Sequence, residues 1–324
     1  MSPVNSGLTQ VASCALSHYD LADAQPALLD NTSNVVFRVL PPEEETGANT
    51  GFVLRVHASG ARTTQAILEE LQWLSAIRRE TDLIVPAPVP ARDGSLIQEI
   101  PAPGESVPRQ CVLFQWIPGK FRNENLTPDD LRRVGAFMAR LHCHSERFVA
   151  SQASPPTRRA VFCDAHAPDK AATHFSAEDL AVFEAAAQWV HKAVEELGED
   201  RDVFGFIHGD LHQWNYLFHG NEVRAIDFDD CGWGYYAYDM AVPLSYLEDQ
   251  KTFPALQEAF LAGYQQIRPL PRRFADYLDV FLAARILVML PWILGWPHPN
   301  HISWGPRFLQ QASGRLRRYL ERKP

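Results

Sequence analysis

Cysteine is scarce in this chain and forms no pattern. Cys14, Cys111, Cys143, Cys163 and Cys231 are odd in number, scattered, and never spaced as CxxC. That leaves no disulfide framework to read, and free thiols in a reducing cytoplasm are expected. No GxxxxGK[ST] occurs, so the phosphate-cradling loop that this pattern builds is absent. Basic residues are outnumbered, 30 Lys and Arg against 39 acids for a net charge of −9, which argues against a nucleic-acid partner. The opening residues, MSPVNSGLTQ, lack the basic start and apolar run of a secretion signal. The one membrane-like stretch, Tyr277 to Trp296, is interrupted by Asp279, Arg285 and Pro291. A buried helix explains it better than a span, and no membrane partner is expected.

What is present is ample apolar material, 46% of 324 residues, enough for two modest domains or one large one. Polar chemistry is concentrated between Phe204 and Asp239. Phe204, Phe206 and Ile207 form a buried segment, and Val223 to Phe228 a short strand ending in acids. Between them His208-Gly209-Asp210-Leu211-His212-Gln213-Trp214-Asn215 is too polar and too broken for either element, so it is a loop held at both ends. A loop with Asp210 and Asn215, followed by a strand delivering Asp227, gathers two carboxylates and an amide. Phosphoryl transfer needs such a set: one carboxylate for the proton of the attacking hydroxyl, and an amide and a second carboxylate for magnesium. Two other readings stand beside it. HGD and DFD occur in ordinary acidic turns, and His208 and His212, four apart, suggest a transition-metal site. Gly209 disfavours a helix there and no third ligand has familiar spacing.

His208-Gly209-Asp210 with Asn215, then Ile226-Asp227-Phe228, resembles the signature of the aminoglycoside phosphotransferase and choline kinase-like family, relatives of the protein kinases. The resemblance implies that Asp210 is the catalytic base and that Asn215 and Asp227 hold Mg2+ against ATP. Asp239, in Tyr238-Asp239-Met240-Ala241, fits a family position at the start of the next helix and is expected to be structural, as an N-cap.

Earlier in the chain, a short helix near Leu8 to Tyr19 precedes two strands, Ala27 to Asp30 and Val35 to Leu40, around the turn Asn31-Thr32-Ser33-Asn34. In the family this hairpin lies over the nucleotide phosphates, which makes Asn34 a candidate phosphate contact. Pro41 to Gly51 is an exposed loop. The strand Phe52 to His57 places Arg55 where protein kinases have a lysine that contacts phosphate and pairs with a helix glutamate. Arginine keeps the charge on a bulkier planar fork; the alternative is a solvent-facing arginine on an alternating strand. Helical spacing of Ile67, Leu71 and Leu74 predicts a helix over 62–79 with Glu70 inside the apolar arc and Glu69 on the opposite side. Glu70 is therefore the candidate partner of Arg55, or else it rims the stripe. Val85 to Pro90 is a connector. Strands at 96–100 and 111–117 complete a sheet of about five, and the resemblance makes Phe114, Gln115, Trp116 and Ile117 the hinge that binds adenine.

From Thr127 the chain turns helical, opening on Thr127-Pro128-Asp129-Asp130, an N-cap, a first-turn proline and acids. A second helix spans Ser176 to Leu197, and three more lie near 253–266, 272–294 and 308–321. The aromatics Trp233, Tyr235, Tyr236 and Tyr238 are expected to pack rather than line a pocket. These elements make the fold class α+β, and the resemblance implies a two-lobed protein-kinase-like fold with a β-rich lobe over 1–117 and a helical lobe over 118–324. The expected reaction is transfer of the γ-phosphoryl of ATP to a hydroxyl of a small molecule, whether aminoglycoside, homoserine, choline-like or another alcohol. A protein Ser/Thr kinase and a nucleotide-binding regulator without turnover are the rivals.

Overall fold

Alternation is clearest in Val35–Leu40, where Val35, Phe37 and Val39 are buried and the residues between them only half so. A strand with one apolar face must bury it against something, and here the partner is a helix. The computed structural model describes residues 3–41, 50–123, 125–151, 156–160, 173–295 and 304–322. The loop expected at 41–51 lies largely outside them. Two compact units emerge, residues 1–123 with 214–229, and residues 124–213 with 230–324. The sequence draws a single boundary after Ile117, whereas the chain returns to the first unit for one hairpin.

In the first unit, β1 (Gln25–Asn31), β2 (Val35–Leu40), β3 (Phe52–Val56), β4 (Gln98–Ile100) and β5 (Arg109–Gln115) form one antiparallel sheet in the order β1-β2-β3-β5-β4. Helix α1 (Pro3–Leu16) supplies Val11, Ala12, Ala15 and Leu16 to a core with Phe37, Leu54, Val56, Cys111 and Leu113. Because side chains alternate along β3, Leu54 and Val56 belong to this core while Arg55 points the other way. Helix α2 (Thr64–Glu80) is capped by the Thr63 hydroxyl, which accepts from the Ala66 N–H. The 85–90 connector is no strand, yet it lies along β5, with the Val89 N–H on the Leu113 carbonyl. The hairpin β7 (Tyr216–His219) and β8 (Glu222–Ala225) completes the unit.

The second unit holds α3 (Pro128–Ser151), α4 (Ala177–Leu197), α5 (Tyr236–Ser245), α6 (Phe253–Gln265), α7 (Phe274–Gly295) and α8 (Gly305–Arg322), with β6 (Phe204–Ile207) paired to β9 (Gly232–Tyr235). Helix α3 begins where the sequence predicts: Thr127 and Asp130 exchange backbone-to-side-chain bonds in a reciprocal cap. Tyr235, Tyr236 and Tyr238 are buried, and Trp233 stacks on Phe204 at 5.8 Å, so these aromatics pack. Helix α7 is long and apolar enough to cross a membrane, but most of its residues are buried within the protein, as expected for a core helix.

Helices α3 and α6 approach at two glycines. A Cβ on Gly263 would overlap the Arg132 carbonyl, and one on Gly135 would overlap that of Phe260. Gly263→Ala should therefore destabilise the protein by about 1–3 kcal/mol through overpacking. Without this contact, alanine would stabilise a helix interior by up to about 1 kcal/mol, so urea unfolding of the variant distinguishes the two by sign.

Candidate active site

Arg55 is nearly buried, and its Nη2 donates to Glu70 Oε1 at 2.5 Å. Strand alternation and the helical arc together bring the pair into contact. Glu69 is buried as well, but it accepts from Gln65 on its own helix. Burial opposes the charge on Arg55. Glu70, then Asp229 and Asp227, outweigh that effect, so its pKa is raised. Arg55 Nη1 lies 3.7 Å from Asp227 Oδ1 and 3.6 Å from Asp229 Oδ1. These exceed hydrogen-bond length, and Nη1 and Nε remain buried donors without a hydrogen-bond partner.

The two residues expected to hold metal are joined by the β7–β8 hairpin. Tyr216 pairs with Ala225, so the next residues outward, Asn215 and Ile226, face each other, and the Ile226 N–H donates to the Asn215 carbonyl at 2.9 Å. Asp227 follows with φ +58°, a left-handed backbone that costs an L-residue about 1–2 kcal/mol. Phe228 is fully buried against Trp73, edge to face at 5.5 Å. With Phe228 anchored inward, the Asp227 side chain stands half exposed. Asn34 also belongs here: its amide donates to Asp229 Oδ2 at 3.1 Å. Arg62 Nη2 lies 3.4 Å from the same oxygen, and His57 Nδ1 lies 3.7 Å from Oδ1. Asp229 thus sits among cationic and amide donors, a role that its turn position did not disclose.

Of the four residues expected to form the hinge, Phe114 and Ile117 are buried, Trp116 half-buried and Gln115 exposed. The Gln115 and Trp116 N–H groups already donate to the Ala87 and Gly51 carbonyls, each at 3.0 Å. Arg55 lies over the Phe114 ring and Arg38 over Trp116, at 4.9 and 4.1 Å.

Asp210 lies in the second unit, on the loop that leaves β6. Gly209 takes φ +84°, and a Cβ there would strike the Asp230 carbonyl, which accounts for glycine in the motif. Asp239 holds the loop from below. It is not an N-cap, because α5 starts at Tyr236 and Tyr235 occupies the cap. Instead its carboxylate accepts the His208 and Gly209 N–H groups at 3.2 and 2.8 Å. His142 Nε2 meets the same carboxylate at 2.9 Å, and its Nδ1 meets the Tyr264 hydroxyl at 2.8 Å. Arg268 donates to that hydroxyl at 3.2 Å. Tyr264 therefore donates to Nδ1, and a neutral His142 donates to Asp239. Full burial pushes the His142 pKa down, against the bond to Asp239, in agreement with a neutral ring.

The histidines beside Asp210 serve the loop. His208 Nδ1 accepts the Asp210 N–H at 3.3 Å, and His212 Nε2 lies 3.3 Å from Asp210 Oδ2. Among the described residues no group of three or more His, Cys, Asp or Glu is placed to hold a metal ion. From α7, Arg285 Nη2 donates to Asp210 Oδ1 at 2.5 Å. Burial works to raise the Asp210 pKa, but His212 and then Arg285 outweigh it and hold the carboxyl well below its usual range. Sequence reasoning passed over Arg285 and treated it as an interruption of an apolar run. A basic residue in the middle of such a run was the available signal.

Comparison with known proteins agrees with this geometry. The family model for APH, the phosphotransferase enzyme family, matches residues 25–277. An uncharacterised protein of Deinococcus radiodurans is 30% identical over 301 residues, covering 89% of this chain and 81% of the relative. Among solved structures, a microcompartment-associated aminopropanol kinase is 31% identical, with 96% of this chain and 97% of that chain covered and a TM-score of 0.79. An amicoumacin kinase in complex with AMP-PNP, Ca2+ and Ami is 20% identical, with 90% of this chain and 88% of that chain covered and a TM-score of 0.72, a likeness of fold. The fold is α+β and kinase-like, as the sequence implied, and with a match over most of its length the chain belongs to the APH family of phosphotransferase enzymes.

Proposed function

We propose that the protein moves the γ-phosphoryl group of ATP to a hydroxyl of a small amine-bearing alcohol, with Asp210 as base and Mg2+ on Asn215 and Asp227. The observation that carries this reading is the buried Arg55–Glu70 pair, whose remaining guanidinium donors lack hydrogen bonds beside Asp227. Phosphate oxygens would satisfy them. A magnesium ion fits the donor set, since it takes few protein oxygens and leaves its other positions to phosphate and water. When bound, it neutralises phosphate charge and fixes the group for in-line transfer.

The chain's own residues do the rest. Glu70 holds Arg55 so that it meets phosphate with its fork already oriented, and Asn34 and Arg62 add donors from the β1–β2 turn and the approach to α2. Adenine recognition by backbone falls to the groups of the hinge not already bonded, the Ile117 N–H among them. Asp210 accepts a hydrogen bond from the acceptor hydroxyl. As the new O–P bond forms and the bond to the β–γ bridging oxygen breaks, the proton passes to Asp210 and the electron pair leaves with ADP. Positioning and charge stabilisation supply most of the acceleration.

The amine is inferred from the 31% identical aminopropanol kinase. A cytoplasmic site of action is part of the proposal, and the described cysteines, Cys14, Cys111, Cys143 and Cys231, are free thiols. A coupled ADP-release screen with Mg-ATP tests it, using aminopropanol, ethanolamine, choline, homoserine and an aminoglycoside, with casein and buffer as controls. ADP release that depends on one of the amino alcohols is expected. Calorimetric binding of Mg-ATP with no acceptor raising turnover would favour a regulator instead, and release with casein alone a protein kinase.

A further inference from the structure

We infer that Arg285 is a positioning residue for phosphoryl transfer: it clamps one oxygen of the Asp210 carboxylate from α7 and so fixes the orientation in which the carboxylate meets the acceptor hydroxyl. This rests on the reading of Asp210 as the base. Three charged residues occur in α7. Asp276 is exposed and Asp279 half-buried, whereas Arg285 is only 5% exposed within an otherwise apolar stretch. Burying a guanidinium there is strongly unfavourable unless it is paired and hydrogen-bonded. Its Nη2 meets both Asp210 Oδ1, at 2.5 Å, and the Tyr246 hydroxyl, at 3.0 Å. The Tyr246 ring lies 5.7 Å from the guanidinium carbon and packs edge-on against His212 at 5.1 Å. The base, the arginine and the aromatic side chains thus form one packed group.

Charged and titratable groups reach the Asp210 carboxyl from three elements among the described residues. His208 and His212 come from its own loop, Tyr246 from the end of α5, and Arg285 from α7. An imidazole supplies positive charge only when protonated, whereas a guanidinium supplies it at every working pH. Arg285 is therefore the permanent countercharge. Arg285 Nη2 holds Oδ1 while His212 Nε2 lies 3.3 Å from Oδ2, so the carboxylate is held from two sides. Pairing also makes the carboxylate a weak base, so the acceptor proton moves late, once the O–P bond is forming. That timing suits a loose transition state, in which the hydroxyl needs orientation more than early deprotonation. No residue of the His208–Asn215 motif supplies a permanent positive charge.

The test is titration of the full-length protein carrying 13C at its aspartate carboxyls, with Asp210→Asn identifying the Asp210 signal. In wild type the Asp210 midpoint should lie well below that of an ordinary carboxylate. In Arg285→Met it should rise by about 1–3 pH units, and Arg285→Lys should recover much of the difference by restoring charge without the fork. If Arg285→Met gives no cooperative thermal transition, Arg285→Gln, neutral but still a donor, carries the same readout. With an acceptor from the screen, the Arg285 variants should lower kcat at unchanged KM for Mg-ATP and move the acid limb of kcat/KM upward. An Asp210 midpoint equal in wild type and the neutral variants would overturn the assignment. The titration needs no turnover, so that failure is distinct from failure of Asp210 as base, which would appear as retained transfer in Asp210→Asn.

Discussion

Asp210→Asn should bind Mg-ATP like wild type and transfer its phosphoryl group about 10²- to 10⁴-fold more slowly, the usual consequence of losing a positioned general base. The amide matches the carboxylate in size and can turn its oxygen towards Arg285 Nη2, which now donates to Oδ1 at 2.5 Å. It cannot take a proton from the acceptor. Single-turnover assays at saturating nucleotide isolate this step. Wild-type rates in a folded variant would remove Asp210 from that role, whereas equal loss of nucleotide affinity would place it with the phosphates. Stability should change too, in a direction set by the depressed pKa of Asp210. A carboxyl that titrates lower when folded stabilises the native state above its unfolded pKa of about 4 and loses that contribution as pH falls towards the folded value. Wild type should therefore melt above Asp210→Asn at pH 7, and the gap should narrow below about pH 4.

Asp227→Ala should remove productive binding of metal-nucleotide. Asn215 alone offers a neutral oxygen, a poor match for a divalent ion beside a polyphosphate. The loss in Mg-dependent affinity should be at least the roughly 10- to 100-fold that follows removal of an outer partner of a metal ligand. Calorimetry with and without chelator measures it. Metal-free ATP affinity should change little, since Arg55, Glu70 and the hinge stay in place. Asp229 is the alternative ligand, but its carboxylate already faces Asn34, Arg55, His57 and Arg62. Undiminished Mg-dependent affinity and turnover in Asp227→Ala would transfer the metal to Asp229.

Much of this protein is local, and the local part was legible in residue order. The reciprocal cap at Thr127 and Asp130 involves groups three residues apart. The Arg55–Glu70 contact follows from a period of two in β3 and about 100° per residue in α2, which aim two nearby elements at each other. Asn215 is bonded to Ile226, the neighbour of Asp227, because one short hairpin joins them. The α+β class follows from the same periodicities, and the order of Asp210, Asn215 and Asp227 carries the family resemblance. Packing decided the rest. Asp239 looked like a cap because an acid near a helix start commonly is one; its actual partners are loop N–H groups about thirty residues earlier and His142 on α3. Arg285 reaches Asp210 across 75 residues of chain, and Gly263 is required by a carbonyl of another helix. No periodicity encodes such pairs, because their energy comes from desolvation and close contact between distant segments, which exist only once the chain has folded.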